Sequence, residues 1–91
     1  MAWRIELSGQ AQKNLRAIDR ENAIRILRFL HGRLAPSDNP RGFGEALKGS
    51  RLGGLWRYRV GDYRFIADIE DRIVKILVVR IGNRREVYRR R

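Results

Sequence analysis

Residues 55–64 read LWRYRVGDYR, in which two runs of alternating side chains flank the pair Gly61-Asp62. Alternation with a period of two is typical of a half-buried strand, and glycine at the first central position suits a type II′ hairpin turn. The turn sets the opposed pairs, which are Val60 with Tyr63, Arg59 with Arg64, Tyr58 with Phe65, and Arg57 with Ile66. The stretch therefore predicts an antiparallel hairpin.

The predicted hairpin has two unlike faces. Its apolar and aromatic face carries Trp56, Tyr58, Val60, Tyr63, Phe65 and Ala67. Its other face gathers Arg57, Arg59 and Arg64. Like charges directly opposed across strands destabilise a sheet by up to about 1 kcal/mol, so the arrangement favours an anionic ligand such as a phosphodiester. The alternative is a solvated face whose arginines extend into water or pair with Asp62 and Asp68.

Outward from the hairpin, the remaining patterns complete one domain over residues 1–91. A third strand-like run covers 72–81, and another, 2–7, opens the chain. Ser8 suits a helix N-cap, and the helical spacing that follows it ends near Asp19. A second helix is predicted over 21–34, before a loop rich in Pro and Gly. Ile24, Leu27, His31 and Leu34 lie on one side of that helix, and Ile26, Phe29 and Leu30 widen its apolar stripe.

The element order β-α-α-β-β-β predicts an α+β fold with a mostly antiparallel four-stranded sheet. Because each helix carries one apolar stripe, the two-helix hairpin is expected to pack on one face of the sheet. The arginine face of the sheet is then left open.

Charge balance points to a polyanionic partner. The chain has 21 basic and 10 acidic residues, a formal net charge of +11, and 18 of the basic residues are arginine. The guanidinium fork binds phosphate in bidentate fashion, which favours nucleic acid. A basic surface that serves solubility, or that binds an acidic protein, is the alternative.

Composition also excludes several kinds of chemistry and location. The absence of cysteine excludes disulfides, thiolate catalysis and cysteine-based zinc sites. A lone histidine, His31, cannot build a histidine metal site and is expected in or beside the core. No apolar run approaches a membrane span and the N-terminus lacks a signal-peptide pattern, so a cytoplasmic protein without a membrane partner is expected.

Two motifs resemble those of the RelE/ParE toxin superfamily. Residues 55–64 are similar to the central hairpin of the family, and GNRREVY at 82–88 resembles its closing motif G-H-R-x-x-V-Y. The resemblance runs over essentially the whole chain and is strongest with the RelE-type mRNA interferase branch. It implies the RelE-like, microbial RNase-like fold.

Resemblance to that branch implies the toxin of a type II toxin-antitoxin system. Such a toxin is a ribosome-dependent endoribonuclease that cleaves mRNA in the A site of the 30S subunit by attack of the ribose 2′-OH, without metal or cofactor. Translation and growth are thereby inhibited. An acidic RelB-like antitoxin is the implied partner, and operator DNA is expected to be bound only through the antitoxin complex.

The resemblance also implies roles for individual residues. Arg57, Arg59 and Arg64 take the position of the basic residues that hold the scissile phosphate, and Arg84 and Tyr88 that of the motif residues near the leaving group and base. Glu45 matches a carboxylate base of a related branch. The remaining RNA-binding candidates are Lys48, which matches a basic position before the hairpin, together with Arg51, Arg85 and Arg89.

Two departures from the family pattern leave the general base open. Asn83 stands where many relatives have histidine, and it cannot take part in acid-base catalysis. Arg57 and Arg59 replace hairpin lysines, and a guanidinium with a pKa above about 12 is a poor base. Two other functions remain as alternatives. One is a ParE-type inhibitor of DNA gyrase, against which Arg64, Arg84 and Tyr88 argue, and the other is an inactive nucleic-acid or antitoxin-binding module, which Asn83 favours.

Overall fold

A computed structural model describes residues 2–47 and 54–83 of the chain. The strands are β1 (Arg4–Leu7), β2 (Glu45–Ala46), β3 (Leu55–Val60), β4 (Tyr63–Glu70) and β5 (Lys75–Asn83). The helices are α1 (Gly9–Ala17) and α2 (Arg20–Phe29), and α2 continues into a π-helical turn, Leu30–Leu34. Short 3₁₀ turns cover Pro40–Phe43 and Asp71–Ile73. Among these residues no helix combines the length and apolarity needed to cross a membrane.

The described strands form one sheet in the order β1-β5-β4-β3-β2. Strand β1 runs parallel to β5, and every other neighbouring pair is antiparallel. The α+β class and the mostly antiparallel sheet are thus confirmed. All four opposed pairs predicted for the β3-β4 hairpin are present. The strand number is wrong by one, because β2 has only two residues and is too short to show alternation.

Both helices begin at side-chain caps, and side-chain hydrogen bonds attach α1 to β5. The Ser8 hydroxyl accepts a hydrogen bond from the Ala11 N–H, as the predicted N-cap requires, and donates one to the Val79 carbonyl. The Asp19 carboxylate caps α2 by accepting from the Asn22 N–H. The Asn14 side chain of α1 accepts from the N–H of Ile81, so α1 is joined directly to β5.

The core lies between the helices and one face of the sheet. It contains Tyr58 and Phe65 from the hairpin, Ile76 and Val78 from β5, and Ile26, Leu30 and Leu34 from α2 and its π-helical turn. Two residues of the predicted helical stripe lie outside the core, since Ile24 is 39% exposed and His31 is exposed, whereas Leu34 is buried as predicted. Apolar residues cover a wide arc of α2, and packing on the sheet determines that the side with Ile26 and Leu30 is the one that is buried.

Gly44 allows the start of β2 to lie against β3, which gives a first testable prediction. A Cβ at Gly44 would clash with the Arg57 carbonyl oxygen and lie 2.8 Å from Tyr58 Cδ1. Gly44→Ala is therefore expected to lower the free energy of unfolding by about 1–3 kcal/mol, as other overpacked sites do. Urea unfolding followed by circular dichroism measures the effect.

Gly32→Ala is the matched control. Gly32 lies in the π-helical turn, and a Cβ there meets no atom within 4 Å. Alanine is preferred over glycine in helices by about 1 kcal/mol, so this variant is expected to be neutral or more stable. Equal losses of stability in the two variants would contradict the close approach of Gly44 to β3.

Candidate functional site

A cleft rich in arginine lies beside the edge strand β2 and the β3-β4 hairpin. Its volume is about 420 Å³. It is lined by Phe43, Gly44, Glu45, Arg57, Tyr58, Arg59 and Arg64. The structure therefore brings together four of the residues that the sequence nominated, namely Arg57, Arg59, Arg64 and Glu45.

Strand pairing explains why these side chains meet. Arg59 is directly opposite Arg64 on β4, and Glu45 on the edge strand β2 is directly opposite Arg57. Directly opposed residues project from the same face of a sheet. The charged groups of three adjacent strands therefore converge on one cleft.

Tyr58 holds the arginine-bearing strand from its inner side. Its side chain is 1% exposed and stacks on Phe65, with ring centroids 4.9 Å apart. Its hydroxyl donates a 2.9 Å hydrogen bond to the Pro40 carbonyl. Burial raises the pKa of the Tyr58 phenol, so the group stays protonated and remains a donor. Because alternate residues of a strand face opposite sides, fixing Tyr58 also fixes the backbone that presents Arg57 and Arg59 outward.

The loop before β2 is tied to the sheet by Arg41. Its guanidinium forms two hydrogen bonds with the Asp71 carboxylate, of 2.7 and 3.1 Å, and lies 5.6 Å from the Trp56 ring centroid. The Trp56 indole N–H donates to the Arg41 carbonyl. Hydrogen bonding from Arg41 lowers the pKa of Asp71, so the pair is ionised at neutral pH. These contacts hold the segment that carries Phe43 and Glu45 against the cleft.

Glu45 is an ionised group within the cleft. Its Oε1 lies 2.6 Å from Arg57 Nη2. The hydrogen bond from Arg57, followed by the charges of Arg57, Arg59 and Arg64, lowers the pKa of Glu45. A carboxylate with a lowered pKa is a weaker base than an ordinary glutamate. Glu45 also places a negative charge where an incoming anion would meet Arg57.

A second prediction follows from this ion pair. The lowered pKa means that Glu45 keeps its charge at neutral pH and loses it only as pH falls through the lowered value. Glu45→Gln is therefore expected to tighten sulfate binding severalfold at pH 7, because the competing charge is removed. In the unsubstituted protein, sulfate binding is expected to strengthen as the carboxyl protonates in acid, whereas the variant lacks this rise.

Isothermal titration with sulfate measures both effects. Glu21→Gln is the control, since it removes one negative charge from an exposed position in the first turn of α2. A control that gains as much affinity as Glu45→Gln would show that net charge, and not the contact with Arg57, sets anion binding.

Sequence reasoning missed a fourth arginine on this face, Arg80. Ala67 pairs with Val78 but Ile66 pairs with Arg80, so a bulge places an extra residue in β5. Simple alternation would put Arg80 on the helix side with Ile76 and Val78. The bulge reverses this, so that Arg80 shares a face with Arg57 through their common neighbour Ile66. No single-residue signal in the sequence marks such a bulge.

Six of the nominated residues lie outside the described part of the chain. They are Lys48, Arg51, Arg84, Arg85, Tyr88 and Arg89. Their positions relative to the cleft, and the roles assigned to them, stay predictions from the sequence.

Comparison with known proteins relates this chain and its fold to toxins. Residues 5–88 match the family model described as the ParE toxin of the type II toxin-antitoxin system, parDE. A search of curated proteins gives no match.

Solved structures of toxin-antitoxin complexes have the same fold. A chain of the RelBE2 complex from Mycobacterium tuberculosis superposes with a TM-score of 0.82 at 21% identity, over 92% of this chain and 93% of that one. A chain of the archaeal RelE-RelB complex from Pyrococcus horikoshii gives a TM-score of 0.72 at 27% identity, over 94% and 99%. The intact Escherichia coli RelBE complex gives 0.69 at 18% identity, over 90% and 96%.

Proposed function

Because the chain belongs to the RelE/ParE superfamily of type II toxin-antitoxin toxins, we propose that it is a ribosome-dependent endoribonuclease that cleaves mRNA in the A site. The observation that carries this proposal is the convergence of Arg57, Arg59 and Arg64 on one open cleft. Arg59 and Arg64 repel each other because they are directly opposed, and a bound phosphodiester would add negative charge that offsets this repulsion.

The proposed chemistry is transesterification within the RNA strand. The ribose 2′-oxygen attacks the adjacent phosphorus, the bond to the 5′-oxygen breaks, and the products carry a 2′,3′-cyclic phosphate and a free 5′-OH. A base takes the proton of the 2′-OH, and the leaving oxygen gains a proton. DNA lacks this nucleophile, which makes RNA the substrate.

Charge stabilisation carries most of the proposed rate acceleration. Attack on phosphorus adds negative charge to the non-bridging oxygens, and preorganised guanidinium donors stabilise that charge. Glu45 is a candidate to accept the 2′-OH proton, although its lowered pKa makes it a weak base. Arg84 and Tyr88 are assigned to the leaving group and the neighbouring base by the family motif. Neither a metal nor a cofactor enters this scheme.

The proposed partner in the cell is an acidic RelB-like antitoxin, and operator DNA is proposed to bind only to the complex. A second groove, of about 480 Å³, is lined by Phe29 and Val60 together with Arg25, Arg28 and Arg33. A groove that combines apolar and positively charged side chains suits an amphipathic acidic helix. The net charge of +11 favours the same partner. Co-expression with a candidate acidic RelB-like antitoxin, followed by co-purification, tests this.

Inhibition of DNA gyrase is the second candidate function, because the matching family model is described as a ParE toxin. The arginine cleft favours the ribonuclease, since gyrase inhibition does not require a phosphodiester held for cleavage. A binding module without activity is the remaining alternative.

One set of assays separates these functions. Purified protein is added to a translation reaction that lacks added nuclease, and primer extension locates cuts in the messenger. Cuts within codons that occupy the A site, ending in 2′,3′-cyclic phosphate and persisting in excess chelator, are expected. Messenger that stays intact while gyrase supercoiling is blocked would favour the ParE-type function, and no effect in either assay would favour the inactive module.

A further inference from the structure

Phe43 is an exposed aromatic residue at the edge of the arginine cleft. Its side chain is 39% exposed, and it lines the cleft together with Arg57, Arg59 and Arg64. Phe43 ends the 3₁₀ turn Pro40–Phe43, immediately before the edge strand β2. The proposed cleavage reaction gives Phe43 no role.

Two contacts fix the orientation of the Phe43 ring. Phe29 meets it edge to face, with centroids 6.1 Å apart and planes at 88°. The Arg33 guanidinium lies over the ring, 5.4 Å from its centroid. Phe29 is itself packed against the core residues Tyr58 and Phe65, so the ring of Phe43 is connected to the rigid centre of the domain.

An aromatic ring and a guanidinium plane are the two surfaces on which proteins stack unpaired RNA bases. Phe43 lines the cleft whose charges suit phosphate, and Arg33, which lines the second groove, supplies the guanidinium plane over the Phe43 ring. We propose that Phe43 and Arg33 form a nucleobase subsite, which stacks the base of a nucleotide next to the phosphodiester held by Arg57, Arg59 and Arg64. This inference rests on the proposed function, because it takes the ligand of the cleft to be single-stranded RNA.

The subsite makes a contribution that differs from that of the arginines. Phosphate contacts release counterions and therefore depend steeply on salt, whereas stacking has little dependence on salt. Loss of a stacking residue should thus weaken binding equally at every salt concentration. Loss of a phosphate contact on a single strand should instead reduce the slope of log affinity against log salt by about 0.7.

The test uses two oligomers that the protein cannot cleave. One is a single-stranded DNA hexamer, which lacks the 2′-OH, and the other is an abasic hexamer with the same sugar-phosphate backbone. Fluorescence anisotropy at four salt concentrations measures their affinities. Phe43→Leu is expected to weaken binding of the base-containing hexamer by about fivefold or more, without a change in salt slope, and to leave the abasic hexamer unaffected. Phe43→Trp is expected to bind at least as tightly as the unsubstituted protein.

Ile73→Ala is the matched control, since Ile73 is 51% exposed in the turn between β4 and β5 and does not line the cleft. Thermal unfolding confirms that each variant is folded. Equal affinity of Phe43→Leu and the unsubstituted protein for the base-containing hexamer, or equal weakening for both oligomers, would overturn the subsite. If Arg64→Ala also leaves both affinities unchanged, the proposed phosphate-binding role of the cleft is contradicted as well. If Arg64→Ala lowers the salt slope, the phosphate-binding role is supported and only the nucleobase subsite is contradicted.

Discussion

Arg64→Ala is expected to lower mRNA cleavage on ribosomes by about a hundredfold or more, the effect seen when one preorganised donor to a charged transition state is removed. The same substitution is expected to raise the free energy of unfolding by up to about 1 kcal/mol, because it relieves the direct opposition of Arg59 and Arg64. Cleavage is thus expected to fall while stability rises, which separates the two roles of Arg64. If Arg64 served only the structure, its removal would not stabilise the fold. Single-turnover cleavage on programmed ribosomes and urea unfolding measure the two quantities.

Arg72→Ala is the matched control for charge. Arg72 is exposed in the 3₁₀ turn at the far end of β4. Six residues of β4, 65–70, lie between Arg64 and that turn, which corresponds to roughly 20 Å of extended strand. Arg72→Ala lowers the net charge by the same amount as Arg64→Ala. Its cleavage rate is expected to stay within about twofold, and its free energy of unfolding within about 0.5 kcal/mol, of the values for the unsubstituted protein. The cleavage rate of Arg64→Lys is expected to lie between those of Arg64→Ala and Arg72→Ala, because lysine keeps the charge but loses the bidentate fork. Cleavage that survives Arg64→Ala, or falls equally in Arg72→Ala, would contradict the assigned cleft.

The hairpin that carries the site was predictable because its information is local. Gly61 occupies a position with φ of +63°, which glycine adopts without strain, so the turn and the register follow from adjacent residues. The side-chain alternation of β3 and β4 then places Arg57, Arg59 and Arg64 on one face. Three of the charged cleft residues therefore follow from the sequence without knowledge of the rest of the chain.

The remaining parts of the site depend on contacts between distant segments. Glu45 reaches Arg57 because a two-residue edge strand pairs with β3, and no periodicity marks so short a strand. Arg80 joins the arginine face through a bulge that only the pairing of β5 with β4 defines. The orientation of α2 is likewise selected by the sheet, which buries Ile26 and leaves Ile24 partly exposed. Contacts between segments that are distant in sequence, not residue type, decide each of these.

Tyr58→Ala is expected to lower the free energy of unfolding by about 3–5 kcal/mol, the usual cost of truncating a large buried aromatic residue. Tyr58 is 1% exposed, stacks on Phe65 and contacts Phe29 at a centroid distance of 6.0 Å. Its loss also leaves the Pro40 carbonyl without the phenol donor. The free energy of unfolding of a domain of this size is about 5–15 kcal/mol, so the substitution is expected to remove a large part of it. Urea unfolding at neutral pH measures the change.

Tyr58→Phe separates the ring of Tyr58 from its hydroxyl and connects stability to function. This variant keeps the stack on Phe65 and loses only the 2.9 Å hydrogen bond to Pro40, so a loss of about 1–2 kcal/mol is expected. Because the ring still holds the backbone of β3, Arg57 and Arg59 remain presented and cleavage is expected to stay close to that of the unsubstituted protein. In Tyr58→Ala, cleavage per folded molecule should fall as well, since the strand between the two arginines loses its inner anchor. A folded fraction of Tyr58→Ala that cleaves at the full rate would show that the arginines are positioned by some other contact.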